Sequence, residues 1–115
     1  MNVLIVEDDP IISKSLSMAL SDEGHFSDIC GTAEDGLIAA TDNSYDAIIL
    51  DINLPDSDGI RLSKTLRCDK IDTPVLIVSG RTSTTDKVVA LRSGADGYLT
   101  KPFDRQELHG SRAAA

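Results

Sequence analysis

The chain has 115 residues, a length that fits one domain with a single core, and its hydrophobic fraction of 41% supports a packed globule. A net charge of -8 argues against direct binding to nucleic acid or to an anionic membrane, because either partner calls for a basic face. No apolar run approaches the roughly 18 residues of a membrane span. Met1 and Asn2 lead straight into an apolar run, so no signal peptide is expected.

Short apolar runs alternate with stretches of helical period, a pattern typical of βαβ units on a parallel sheet. The first run, 3–6, is followed by Asp9 and Pro10, which predict a helix start with the aspartate as cap and the proline in the first turn. Gly24 should end that helix, and residues 26–30 predict a weaker second strand. The apolar face of the first helix comprises Ile12, Leu16, Ala19 and Leu20.

The middle of the chain repeats this alternation. A second helix is predicted from about 33 to 41, and a third strand, 47–50, leads directly to Asp51. A third helix should begin around 58–60, and a fourth strand is predicted at 75–78. The residues expected to face the core from the second and third helices are Ala33, Leu37, Ala40, Leu62 and Leu66.

The last third of the chain predicts a fourth helix, a fifth strand and a weakened fifth helix. The polar loop 82–85 can cap the fourth helix, in which Val88 and Leu91 are expected to face the core. Gly94 should stop that helix, and residues 97–100 form the fifth strand.

A fifth helix should start near residue 104, but Gly110 weakens it and no large apolar residue follows to pack. We therefore expect a domain over 1–108 and an irregular tail over 109–115, which is either a truncated fifth helix or a non-native end. The two cysteines, Cys30 and Cys68, lack the spacing of a disulfide framework or a metal site. We therefore predict that both cysteines are inert packing residues and that the protein resides in a reducing cytoplasm.

Polar side chains follow four of the predicted strands. In an open parallel sheet the crevice beyond the carboxyl ends of the strands is where ligands bind, so these side chains should converge there. Acids, a hydroxyl and an ammonium together suit a divalent cation and a phosphoryl group. The residues are Glu7, Asp8 and Asp9 after strand one, Asp51 after strand three, Ser79 and Gly80 after strand four, and Lys101 and Pro102 after strand five.

Mg²⁺ is the cation that this donor set favours, because it takes oxygen ligands, keeps several waters and binds one or two carboxylates plus a phosphate. Asp8 and Asp51 are the predicted direct ligands. An acidic helix start would also explain 7–9, since acids are favourable at the positive end of the helix dipole. Ser79 could equally be a turn-forming hydroxyl. Lys101 is restricted by the following proline to an extended conformation, and with Ser79 it could bind phosphoryl oxygens.

These residues carry a family resemblance. Over residues 1 to about 108, the chain resembles the receiver domain of two-component response regulators, most of all those of the winged-helix DNA-binding (OmpR/PhoB-type) class and, among them, the alphaproteobacterial cell-cycle regulators. The matching motifs are Val-Glu-Asp-Asp-Pro at 6–10, Leu-Asp-Ile-Asn-Leu-Pro-Asp-Ser-Asp-Gly at 50–59, Ser-Gly at 79–80 and Gly-Ala-Asp-Gly-Tyr-Leu-Thr-Lys-Pro-Phe at 94–103.

The resemblance implies a flavodoxin-like (βα)5 fold with a doubly wound parallel sheet in the strand order 2-1-3-4-5. It implies that Asp51 accepts a phosphoryl group from a histidine kinase or a phosphotransfer protein. Asp8 would be a direct Mg²⁺ ligand, Glu7 would act through water, and Asn53 would contribute its backbone carbonyl. Such a protein catalyses only its own phosphorylation and dephosphorylation, and we do not expect an enzyme with another substrate.

The resemblance also implies a switch. Ser79 stands where the family has Thr or Ser, and Tyr98 stands at its rotating aromatic, so both would report phosphorylation to the face of helix four, strand five and helix five. Self-association is expected through that face. It should be weak, because the DNA-binding class commonly has an acid that pairs across the dimer at the position of Gly97, and glycine has no side chain to form that pair. Any DNA contact would belong to a further C-terminal domain.

Three other interpretations remain at this stage. A stand-alone receiver in a phosphorelay would share all the motifs. A hydrolase of the haloacid dehalogenase type also joins a strand-end Asp to Mg²⁺, Ser or Thr, and Lys, but its second acid would stand at Asn53, which cannot transfer a proton. A flavodoxin-like nucleotide binder should have a Gly-rich or Ser/Thr-rich loop after strand one, where this chain has acids.

Overall fold

The computed structural model describes residues 1–79, 88–89 and 91–100. Five parallel strands form its single sheet, and three helices have defined bounds within the described part. The strands are β1 (Asn2–Val6), β2 (Phe26–Cys30), β3 (Ala47–Asp51), β4 (Val75–Ser79) and β5 (Gly97–Thr100). The helices are α1 (Pro10–Asp22), α2 (Ala33–Asp42) and α3 (Gly59–Cys68). The strand order is β2-β1-β3-β4-β5, so the predicted topology is confirmed.

The strands β1, β3 and β4 are nearly continuous apolar runs, because both faces of the sheet are covered there. Alternate residues of these three strands enter one of two core clusters on opposite faces. One cluster joins Leu4, Ile48 and Ile77 to the inner faces of α2 and α3, and the other joins Ile5, Ile49 and Val78 to α1. This arrangement is the doubly wound architecture that the sequence predicts.

The first helix begins and ends as predicted. The carboxylate of Asp9 accepts hydrogen bonds from the backbone N–H groups of Ile11 at 2.9 Å and Ile12 at 3.4 Å, and Pro10 opens the helix. Gly24 follows the helix with a φ of 81°, a conformation that glycine adopts without strain. Leu16, Ala19 and Leu20 are buried, and Ile12 packs at the edge of the same cluster.

The inner faces of the next two helices are also confirmed. Ala33, Ala40, Leu62 and Leu66 are buried, and Leu37 packs against them while partly exposed. Asp58 caps α3 by accepting a hydrogen bond from the N–H of Arg61 at 2.8 Å.

Two predictions about packing are wrong. Val88 and Leu91 are helical but exposed, at 40% and 47%, whereas Ser93 is buried at 5% and its carbonyl oxygen accepts a hydrogen bond from the Ser63 hydroxyl. The helical segment before β5 therefore packs against α3 through the side that carries the small Ser93, and not through its larger apolar residues. Cys68 is exposed because it lies two residues beyond the buried Leu66, on another side of α3, while Cys30 is partly buried as predicted.

Part of the predicted chain lies outside the described residues. This part includes the loop 82–85, the start of the fourth helix, the fifth helix and the tail 109–115. Within the described ranges, no helix is long and apolar enough to cross a membrane.

Candidate functional site

Three acids meet at the carboxyl edge of the sheet. β1 and β3 are neighbours, and Val6 pairs with Leu50, so the residues that follow β1 lie beside the end of β3. Glu7, Asp8 and Asp51 each offer a carboxylate oxygen, and these atoms all lie within 4.8 Å of one another. Glu7 and Asp51 are buried, with 4% and 7% of their surface exposed, while Asp8 faces solvent. The predicted convergence of acids on this edge is confirmed.

The chemistry of this cluster suits a divalent cation. Carboxylates at this separation repel one another, and burial of two of them adds a desolvation cost that a bound cation offsets. All three donors are oxygens, the ligands of Mg²⁺ and Ca²⁺, and exposed Asp8 leaves a side of the cluster open to water or to a phosphate. The residues present therefore fit a divalent metal site, although their individual roles as ligands stay predictions.

The turn between β3 and α3 brings Asn53 next to this cluster. Asn53 forms an isolated bridge with Asp58, and the N–H of Leu54 donates to the carbonyl oxygen of Ser57 at 3.2 Å. Asn53 is exposed and follows Asp51 by two residues, so its backbone lies near the carboxyl edge of the sheet, where β3 ends. Its carbonyl as a metal ligand stays a prediction.

Gly59 lies at the end of this turn and contacts the backbone of Asp51, the candidate phosphoacceptor. Its N–H donates to the carbonyl oxygen of Ile52 at 2.9 Å, and a Cβ atom on Gly59 would collide with the backbone carbonyl oxygen of Asp51. A side chain here would push α3 away from the end of β3. Sequence reasoning used this glycine to mark a helix start and as the end of a family motif, and it missed the contact with Asp51.

Asp56 is a second feature that sequence reasoning missed. Its carboxylate accepts hydrogen bonds from the backbone N–H of Ala33 at 2.8 Å and of Glu34 at 3.0 Å, at the start of α2. These hydrogen bonds hold the pKa of Asp56 below its usual value, because they favour the charged carboxylate. No local signal could have revealed this contact, since the partners lie more than twenty residues earlier in the chain.

The predicted switch residues lie on the two strands beyond β3. Ser79 is fully buried at the end of β4, one residue past Val78, which pairs with Asp51. Tyr98 is half-buried, and it packs against the core cluster that includes α2 and α3. The structure thus brings Ser79 to the edge that carries Asp51, and the switching roles stay predictions. Gly80, Lys101 and Pro102 lie outside the described residues.

The structure is an α/β domain with a doubly wound parallel sheet and an acidic cluster that could hold a metal ion at the carboxyl ends of its first and third strands. The family model for the response regulator receiver domain matches residues 3–112. The chain therefore belongs to the response regulator receiver family.

Similar proteins agree with this assignment. The chain is 41% identical over 106 residues to the transcriptional regulatory protein TcrA of Mycobacterium tuberculosis, covering 92% of this chain and 42% of TcrA. It is 43% identical over 108 residues to the cell cycle response regulator CtrA of Brucella ovis, covering 94% of this chain and 47% of CtrA. The predicted likeness to the DNA-binding class and to cell-cycle regulators is confirmed. The chain spans less than half the length of either relative.

Solved structures give the same result for the fold. The receiver domain of the Francisella response regulator 1452 superposes with a TM-score of 0.93 at 36% identity, and the alignment covers 98% of this chain and 94% of that one.

Proposed function

We propose that this domain accepts a phosphoryl group on Asp51 and thereby switches an output. The observation that carries the proposal is the cluster of Glu7, Asp8 and Asp51, with carboxylate oxygens within 4.8 Å of one another, in a chain of the receiver family. The predicted donor is a phosphohistidine on a sensor histidine kinase or a phosphotransfer protein.

Mg²⁺ is the cofactor of this reaction. Asp8 and Asp51 would bind it directly, Glu7 would act through water, and Asn53 would contribute its backbone carbonyl. When bound, the ion neutralises charge on the transferred phosphoryl oxygens. The all-oxygen donor set and the exposure of Asp8 support this choice.

The chain's own residues supply the rest of the reaction. A carboxylate oxygen of Asp51 attacks phosphorus in line, the new O–P bond forms, and the P–N bond to the donor imidazole breaks with its electron pair returning to nitrogen. The Ser79 hydroxyl and the Lys101 ammonium each donate to a phosphoryl oxygen. In hydrolysis a water molecule attacks phosphorus, the bond between phosphorus and the Asp51 oxygen breaks, and inorganic phosphate leaves, which restores the carboxylate. The domain therefore catalyses only its own phosphorylation and dephosphorylation and acts on no separate substrate.

The output is transcriptional in this proposal. Both relatives are transcriptional or cell-cycle regulators, and this chain covers less than half of each, so DNA contact belongs to a C-terminal domain beyond the receiver. Ser79 and Tyr98 report phosphorylation to the face of helix four, strand five and helix five, which also mediates weak self-association. The domain acts in the cytoplasm, without a membrane partner.

Phosphorylation can be tested by intact mass. We predict that incubation with a small phosphodonor and Mg²⁺ adds one phosphoryl group to the wild-type domain and none to Asp51→Asn. Asp42→Asn is the matched control, because it removes an exposed carboxylate at the far end of α2 and should label like the wild type. Equal labelling of Asp51→Asn would refute the assignment of the phosphoacceptor.

Two alternatives make different predictions. A stand-alone receiver would pass its phosphoryl group to a histidine-containing partner, and an open reading frame without a winged helix after residue 115 would favour it. A haloacid dehalogenase-like hydrolase would turn over a phosphate ester repeatedly, and its general acid would have to stand at Asn53, an amide that cannot transfer a proton. Steady release of phosphate from an ester would favour that alternative.

A further inference from the structure

Helix α2 is capped twice, once by its own chain and once from a distance. Thr32 is the local cap, since its hydroxyl accepts a hydrogen bond from the N–H of Asp35 at 3.1 Å. Asp56 is the distant cap, because its carboxylate takes the N–H groups of Ala33 at 2.8 Å and Glu34 at 3.0 Å. Amides in the first turn of a helix lack intrahelical acceptors, so the two hydrogen bonds to Asp56 satisfy donors that would otherwise need water. A residue of the β3–α3 turn is thereby fixed to the start of α2.

The start of α2 is in turn fixed to the acidic end of β1. The N–H of Glu7 donates to the carbonyl oxygen of Cys30, three residues before the helix, at 2.9 Å. Within α2, Gly36 lies directly against Val6, and a Cβ atom on this glycine would come within 2.8 Å of a Val6 methyl carbon. The beginning of α2 therefore moves with the segment that carries Glu7 and Asp8.

The turn that Asp56 fixes is the turn that carries Asn53. It is closed by the hydrogen bond from Leu54 to Ser57 and by the bridge between Asn53 and Asp58, so displacement of Asp56 would displace the whole turn. Asp56 links the Asn53 turn to the start of α2, and the start of α2 contacts the segment that carries Glu7 and Asp8. The Asn53 turn and that segment must hold a fixed separation if both are to contact one cation.

We propose that Asp56 is a positioning residue for the metal site. Its two hydrogen bonds to the start of α2 set the position of the Asn53 turn relative to Glu7 and Asp8, and this arrangement strengthens Mg²⁺ binding. The proposal rests on the proposed function, in which these residues bind Mg²⁺. It assigns to Asp56 no contact with the metal.

The test compares Asp56→Ala with Thr32→Ala, which removes the other cap of the same helix and leaves the β3–α3 turn untouched. Titration with Mg²⁺ alone should show an affinity lower by roughly tenfold for Asp56→Ala, the low end of the effect of removing groups that orient metal ligands. Thr32→Ala should bind like the wild type. Equal losses in the two variants would reduce Asp56 to an ordinary helix cap and overturn the proposal.

Asp56→Asn removes the negative charge but keeps one of the two hydrogen bonds. Ala33 and Glu34 donate to different carboxylate oxygens, and the amide oxygen of the variant can still accept from one of them. We expect this variant to keep more affinity than Asp56→Ala. The same loss in both would mean that only the field of the carboxylate matters, and the proposal would fail.

A readout without metal completes the test. In the absence of Mg²⁺, hydrogen exchange at the Leu54 amide should accelerate in Asp56→Ala and stay unchanged in Thr32→Ala, because only the former releases the turn. Unchanged exchange in both would overturn the positioning role while leaving wild-type Mg²⁺ binding, and the proposed function, intact. A wild-type protein that binds no Mg²⁺ would instead overturn both.

Discussion

Asp8 and Asp9 are neighbours in the chain and belong to different parts of the structure. Asp9 caps α1 through hydrogen bonds from Ile11 and Ile12. Asp8 places its carboxylate beside those of Glu7 and Asp51. Because the chain turns between β1 and α1, one of these adjacent carboxylates caps a helix and the other joins the acidic cluster. Substitution can therefore separate the two effects.

We predict that Asp8→Ala lowers Mg²⁺ affinity far more than Asp9→Ala does. Loss of the cap in Asp9→Ala should instead lower the free energy of unfolding by roughly 0.5–2 kcal/mol. Mg²⁺ titration and denaturant unfolding of both variants measure the two quantities. Similar losses of affinity would contradict the division of roles.

At the scale of single residues, the acids of the site could be predicted because they lie at the ends of buried apolar strands. Asp51 ends a strand of buried residues, and parallel strands end at one edge, so its meeting with Glu7 follows from topology. The contacts of Asp56 and Gly59 could not be predicted. They depend on how two loops and a helix start meet in space, and spacing along the chain carries no signal of that meeting.

At the scale of elements, the edge strand β2 is joined to the loop before β3 by a tyrosine. The Tyr45 hydroxyl donates to the carboxylate of Asp28 on β2 at 2.7 Å. Partial burial and this hydrogen bond raise the pKa of Tyr45 to about 12, because both favour the neutral phenol. The interaction therefore depends on the tyrosine keeping its proton.

The sign of the pH effect follows from linkage. The folded state holds the Tyr45 proton more tightly than the unfolded state, whose pKa is 10.0, so this contribution to stability is present below pH 10.0 and is lost as the pH rises through about 12. We predict that Tyr45→Phe is less stable than the wild type at neutral pH and that the difference shrinks over this window. Unfolding at several pH values measures it, and phenolate absorbance follows the titration. A constant difference across the window would contradict the role of the hydrogen bond.

At the scale of the whole molecule, the sheet order and the faces of α1, α2 and α3 could be predicted because apolar period and strand alternation agree there. The orientation of the helical residues before β5 could not be predicted from the sequence. Val88, Val89 and Leu91 are all apolar and all at least 40% exposed, while buried Ser93 makes the contact with α3. Apolar periodicity identifies a hydrophobic side of a helix, and it does not reveal whether that side meets the core or the surface.

That exposed side gives the last prediction, which concerns self-association. Leu91 is 47% exposed in the helical segment that precedes β5, and this segment belongs to the face that phosphorylation is proposed to re-form. Gly97 offers no side chain for an ion pair across a dimer, and exposed pairs elsewhere would add only about 0–1 kcal/mol each. We therefore predict a monomer without phosphate and weak dimerisation when beryllofluoride occupies the site, since the ligand shifts an existing equilibrium.

Sedimentation velocity with and without beryllofluoride tests this. Leu91→Lys should abolish the weak dimer, because it places a charge in the apolar contact. Ile38→Lys, at a comparably exposed position on α2 with 52% of its surface exposed, should leave it unchanged. A tight dimer at micromolar protein in both states would show that the contact does not depend on the switch, and equal effects of the two lysines would place it elsewhere on the molecule.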